Sequence, residues 1–251
     1  MPGLRIIPRL DIKGPNLIKG IQLEGLRVVG DPQAFALRYY EQGADELVFM
    51  DIVASLYQRN SLSDIIRRAA HRIFVPITVG GGLRSVADVH TALRSGADKV
   101  AINTAAIARP ELISEVAQRF GSQCMVLSVE AKRTGPGHWE AYTDNGRERT
   151  GLDVVDWIAR AVELGAGEVL LTAVDKEGTR RGLDIQLLQA VNARVGVPVI
   201  ASGGFGDPLD LKRAAEVGTS GVAIADALHW DRMTLPQIKQ AARDQGLEVR
   251  L

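Results

Sequence analysis

The chain has 251 residues, with 30 Lys and Arg balanced by 30 Asp and Glu. Zero formal charge argues against a polyanion-binding surface, so no nucleic-acid partner is expected. A 46% hydrophobic, 5% aromatic composition describes an aliphatic buried core rather than a disordered tail, and no apolar run is long enough to span a bilayer.

In chain order, eight short apolar runs read as strands: Arg5–Asp11, Glu46–Ile52, Val75–Val79, Lys99–Ile102, Met125–Val129, Glu168–Val174, Val197–Ala201 and Gly221–Ala225. Helical periodicity separates them, with Asp31-Pro32, Arg109-Pro110 and Asp207-Pro208 marking helix starts. Eight alternations without a linker predict a single (β/α)8 barrel over residues 1–251. Lys132–Arg147, turning at Gly135-Pro136-Gly137, reads as a β-hairpin inserted after the fifth strand. The N-terminus carries no secretion pattern, and the single cysteine, Cys124, suits a reducing compartment, so a cytoplasmic protein is expected. Gly43 recurs as Gly165, Val75-Pro76 as Val197-Pro198, and Gly96 as Gly218, each 122 residues on. That common offset predicts two half-barrels, approximately 1–122 and 123–251.

Active groups of such barrels lie at the C-terminal strand ends. Gly81-Gly82 and its repeat Gly203-Gly204, with Asn103-Thr104, offer backbone N–H groups to phosphate. Asp11 and Glu130 end the first and fifth strands, on opposite walls, and can divide acid and base roles. Asp51, Asp175 and Glu177 share that rim. His71, His90, His138 and His229 lack metal-ligand spacing and are expected on the surface; neither metal nor cofactor is expected.

These motifs, among them Arg5-Ile-Ile-Pro8, Leu10-Asp11, Lys19-Gly20, Gly30-Asp31-Pro32, Thr78–Gly82, Ala97–Val100, Ile102–Ala105 and Ile200–Gly204, resemble the HisF family over essentially the whole chain. HisF is the cyclase subunit of imidazole glycerol phosphate synthase. The resemblance implies a lyase of histidine biosynthesis that receives ammonia from a HisH-like glutaminase partner. The ammonia is used on a ribulosyl formimino aminoimidazole-carboxamide ribonucleotide. It implies Asp11 and Glu130 as the catalytic pair, with Lys19 as a loop residue that closes on substrate. It further implies an ammonia gate of Arg5, Glu46, Lys99 and Glu168 at the barrel base, and Asp98 and Gln123 facing the partner.

Six positions depart from the family pattern. Glu130 and Glu177 replace aspartates, and the extra methylene moves a carboxyl by roughly 1.5 Å, a displacement that can cost about 10²-fold in rate. Arg9 replaces a cysteine on the inward face shared with Asp11. Val28-Val29 replaces polar residues in the first loop. Asp226 replaces a serine beside the second phosphate, where two unit charges about 4 Å apart would repel by roughly 4 kcal/mol at an effective dielectric of 20. The alternatives are therefore a relative with an altered acceptor, such as a surface-polysaccharide sugar, and a scaffold that only activates its glutaminase.

Overall fold

Val, Ile and Leu runs too short to be helices and too apolar to face water on either side form the wall of a closed barrel. The computed structural model describes residues 3–53 and 62–250. Its barrel strands are β1 (Arg5–Lys13), β4 (Leu47–Asp51), β5 (Ile77–Gly80), β6 (Lys99–Ile102), β7 (Met125–Gly135), β10 (Glu168–Ala173), β11 (Val199–Ser202) and β12 (Gly221–Ile224). All neighbours are parallel, β10 pairs β7, and β12 returns to β1, which closes the ring. The expected (β/α)8 architecture is the one observed.

Two additions rise above the rim. After β1, β2 (Asn16–Ile21) and β3 (Glu24–Gly30) form an antiparallel hairpin. After β7, β8 (His138–Thr143) and β9 (Glu148–Asp153) form a meander. The turn expected at 135–137 is present, but the inserted segment runs one strand beyond Arg147.

The helix signals also hold. Asp31 caps the Pro32–Glu41 helix by accepting from the Ala34 N–H at 2.8 Å, with Pro32 in the first turn. Asp207 accepts from the Leu209 N–H at 2.8 Å beside Pro208. The repeat glycines share left-handed backbone: φ is 86° at Gly43 and 114° at Gly165, 95° at Gly81 and 92° at Gly203.

Alternation along β1 sends Arg5, Ile7, Arg9 and Asp11 inward. The barrel interior is thereby layered, with charges at the N-terminal end and an apolar layer above them that includes Ile7, Val48, Val126, Leu170, Ile200 and Ala223. Polar groups follow at the mouth. The larger apolar core lies between the barrel wall and the helices. Cys124, 4% exposed, belongs to that core, and burial pushes its thiol pKa up. Among the described residues no helix is long and apolar enough to cross a membrane.

Candidate active site

At the N-terminal end, four side chains from four strand starts form a closed ring. Arg5 donates to Glu46 at 2.9 Å and to Glu168 at 2.6 Å. Lys99 reaches the same two carboxylates, at 2.9 Å and 2.7 Å. The Thr78 hydroxyl adds a 2.6 Å bond to Glu46. The two acids are almost fully buried, while the cations keep partial contact with solvent. Each buried carboxylate thus has two cationic partners, the condition under which a desolvated charge is tolerated. Asp98 and Gln123 are exposed at this end. Asp98 also caps β5, accepting from the Ile77 N–H at 2.8 Å.

At the opposite end, Asp11 and Glu130 project into the mouth from opposite walls, both under a tenth exposed. The Arg9 Nε–H donates to Asp11 at 2.9 Å, so the expected inward pairing is formed. Burial pushes the Glu130 pKa up to about 7, against the lowering influence of the Gly146 N–H and Arg9 and with Asp11 and Asp144 adding to the rise. The longer side chain is not simply displaced: its Oε2 accepts from the Gly146 N–H at 2.7 Å and from the Asn103 amide at 3.1 Å. The extra methylene is taken up in holding the turn between β8 and β9.

Lys19 and Glu177, both buried, form an ion pair that docks the β2–β3 hairpin on the loop after β10. Burial raises the Glu177 pKa, but Lys19 and Arg9 outweigh it and the net shift is downward. Asp175 lies apart from this group. It is exposed, and its carboxylate accepts the Arg133 backbone N–H at 2.7 Å, a structural tie between loops.

A cavity of about 450 Å³ joins Arg9, Asp51, Gly81, Gly82, Asn103, Thr104 and Glu130. It also holds Arg84 and Arg109, cations the motif reading did not include. The glycines there have a packing role as well, since a Cβ on Gly81 would sit 2.1 Å from the Asp51 carbonyl oxygen. In the second half, a Cβ on Gly203 would meet the Ala173 oxygen at 2.6 Å, and the Gly204 carbonyl already accepts from the Gly182 N–H at 2.9 Å. Asp226 requires a correction. Arg232 binds its Oδ1 at 3.0 Å and Arg180 approaches to 3.6 Å, so its charge is offset and the bare-anion repulsion does not apply. It lines a second cavity of about 620 Å³, together with Lys19, Arg27, Trp230 and Arg232. Arg180 and Arg232 lie far from Asp226 or across a loop from it, where no local pattern links them.

His229 is a second correction. It is 2% exposed, stacked on Tyr39 and hydrogen-bonded through Nδ1 to the Tyr39 hydroxyl at 2.7 Å. Burial lowers its pKa to about 3, so it stays neutral in the fold. The apolar positions around it, Phe35, Tyr39, Ala227 and Leu228, were the available sign that the helix buries this side.

A family model described as histidine biosynthesis protein matches residues 5–234. A protein of Legionella pneumophila named imidazole glycerol phosphate synthase subunit HisF is 64% identical over 206 residues, covering 82% of this chain and 97% of that protein. Proteins of the same name from Kineococcus radiotolerans and Gluconacetobacter diazotrophicus are 49% and 48% identical over 253 and 247 residues. Each covers 98% of this chain, and the matches span 98% and 96% of the relatives.

Proposed function

Starting from the fact that the chain belongs to the histidine biosynthesis protein family and, within it, to the HisF proteins, we propose that it is the cyclase subunit of an imidazole glycerol phosphate synthase. It takes ammonia from a glutaminase docked at the N-terminal face. It uses that ammonia at the mouth on the phosphorylated ribulosyl ribonucleotide, giving imidazole glycerol phosphate and an aminoimidazole-carboxamide ribonucleotide.

The observation that carries the reading is one barrel interior with the charged ring at its base and Asp11 and Glu130 at its top. Ammonia is small and neutral, so the apolar layer between them is no electrostatic barrier to it, whereas an ammonium ion would have to shed its hydration. At the mouth, ammonia forms a C–N bond at the ribulosyl carbonyl as the carbonyl oxygen leaves as water. Ring closure breaks the formimino C–N bond to release the aminoimidazole-carboxamide amine, so protons must leave the attacking nitrogen and reach the departing oxygen and nitrogen. Asp11 is placed to accept the first. Glu130, with a pKa near 7, is available in both protonation states at neutral pH, which suits it to supply the second. The cavity with Gly81, Gly82, Asn103 and Thr104 seats one phosphate, helped by Arg84 and Arg109. The Gly203-Gly204 turn and the Asp226 cluster border the other.

The test is turnover of the ribulosyl substrate by the purified chain with excess ammonium salt, followed by absorbance. Turnover is expected, with Asp11→Asn and Glu130→Gln each lowering kcat by about 10²-fold or more. No turnover, in the natural chain or after Glu130→Asp with Asp226→Ser, would reject the reading. Arg9 on Asp11 and the arginines on Asp226 favour one second reading: ammonia delivery to a different acceptor, such as a sugar. That reading requires ammonium-dependent amination of the other acceptor by the same chain.

A further inference from the structure

A guanidinium buried in the mouth of the barrel is an expensive group, because desolvating it costs several kcal/mol unless partners compensate. Arg9 is 3% exposed and hydrogen-bonded to three strands of the wall. Its Nε–H binds Asp11 on its own strand, while Nη1 donates to the Thr172 hydroxyl on β10 at 2.8 Å and to the Ser202 hydroxyl on β11 at 3.1 Å. β12 lies between and turns Gly221 and Ala223, both small, to the interior, which leaves room for the side chain to cross. Thr172 stands in register with Glu130 on β7. The guanidinium therefore runs from one proposed catalytic carboxylate to the strand beside the other.

The charges around this span are specific. Arg9 interacts with Asp11, Glu177 and Glu130, and Glu177 shares its charge with Lys19 from the hairpin. Glu130 is faced by Arg9 and Asp11 from β1 and by Asp144 from the turn between β8 and β9. Its remaining contacts are the Gly146 N–H and the Asn103 amide. Arg9 is the cation that acts directly on this carboxylate, set against two like charges.

We propose that Arg9 is a positioning residue for the reaction at the mouth: it holds Asp11 in one orientation and sets positive charge beside Glu130, keeping the two carboxylates in separate acceptor and donor roles. The inference rests on the reading of Asp11 and Glu130 as the reacting pair. Without Arg9, Asp11 is free to rotate, and Glu130 faces like charges alone and binds its proton more tightly.

The experiment is carboxyl NMR titration of the full chain carrying 13C-labelled glutamate, with the Glu130 signal assigned by its loss in Glu130→Gln. The natural chain is expected to titrate there near 7. Arg9→Met is expected to raise the midpoint to about 8 or higher, since an opposite charge at close range is worth about one pH unit or more, and Arg9→Lys to return most of it. In ammonium-driven turnover, Arg9→Met is expected to lower kcat by about tenfold with KM within about twofold, the pattern of a lost transition-state interaction. An unchanged Glu130 midpoint in a folded Arg9→Met chain overturns the proposal. If Arg9→Met does not fold, Arg9→Gln, which removes the charge but keeps an N–H donor toward Asp11, makes the same comparison; a midpoint that stays put there overturns it equally. The titration needs no turnover, so a moved midpoint with no activity would reject the proposed reaction and leave the electrostatic role of Arg9 standing.

Discussion

Glu130, proposed as one of the reacting pair, is a side chain whose burial costs stability. Its folded pKa of about 7 lies above the ordinary 4.5 because burial disfavours its charge. Below about 4.5 the folded and unfolded chains both carry the proton and no penalty exists. As pH rises through 7 the unfolded chain has ionised while the folded one still resists, and stability falls. The loss is complete above 7 and amounts to about 3 kcal/mol, at about 1.4 kcal/mol for each pH unit of difference. Glu130→Gln, which cannot ionise, is therefore expected to be more stable than the natural chain at pH 8 by up to about 3 kcal/mol and to lose that advantage at pH 4.5. Urea melts at the two pH values measure this, and an equal difference at both would refute it. The same carboxylate also binds Gly146, a contact that the Asp-for-Glu comparison along the chain could not reveal because Gly146 returns to it only through the folded turn.

Among the elements, the two rim insertions separate what local chemistry announces from what it hides. The β8–β9 turn passes through Asp144-Asn145-Gly146, all at positive φ, residues that favour such turns. The β2–β3 turn uses Gln22 and Leu23 at φ of 52° and 64°, residue types that give no turn signal, and Leu23 is held there by its burial. β9 is polar and half-exposed, without the alternation that marks a strand, which is why the meander reads as a plain hairpin in sequence. The barrel strands were legible because burial on both faces makes their apolar runs continuous. The Lys19–Glu177 pair was not, because it joins a hairpin strand to the loop after β10 and the two meet only on folding; Asp226–Arg232 was not, because the two residues lie six apart, outside helical spacing. Lys19–Glu177 also fixes the hairpin. Glu177→Gln leaves a buried ammonium without its counter-charge, a change worth about 3 kcal/mol or more if the structure cannot relax. The hairpin can relax by undocking, so hydrogen exchange is expected to speed up across Asn16–Gly30 while the barrel strands keep their protection. Uniform loss of protection would show that the pair holds the barrel itself.

At the scale of the whole molecule, a net charge of zero conceals a polar division: a neutral ring of two acids and two bases at the base, and a mixed charge cluster at the mouth, separated by an apolar layer. If ammonia travels between them, the ring and the mouth should be separable by the source of nitrogen. Ammonium salt reaches the mouth from solvent, whereas on the proposed reading glutamine-derived ammonia would enter past Arg5, Glu46, Lys99 and Glu168. The proposed docking surface can be probed without opening the ring. Asp98→Asn keeps an oxygen for the Ile77 N–H while removing the exposed charge, so the strand end is preserved. Combined with Gln123→Ala, it is expected to weaken capture of the glutaminase by about tenfold or more and to lower glutamine-supported turnover at limiting partner. Ammonium-supported turnover should stay within about twofold, because neither residue approaches the mouth. Pull-down with the tagged chain and paired assays on the two nitrogen sources decide the matter. Loss of both activities together would mean that the substitutions disturb the barrel, and loss of neither would place the partner on another face.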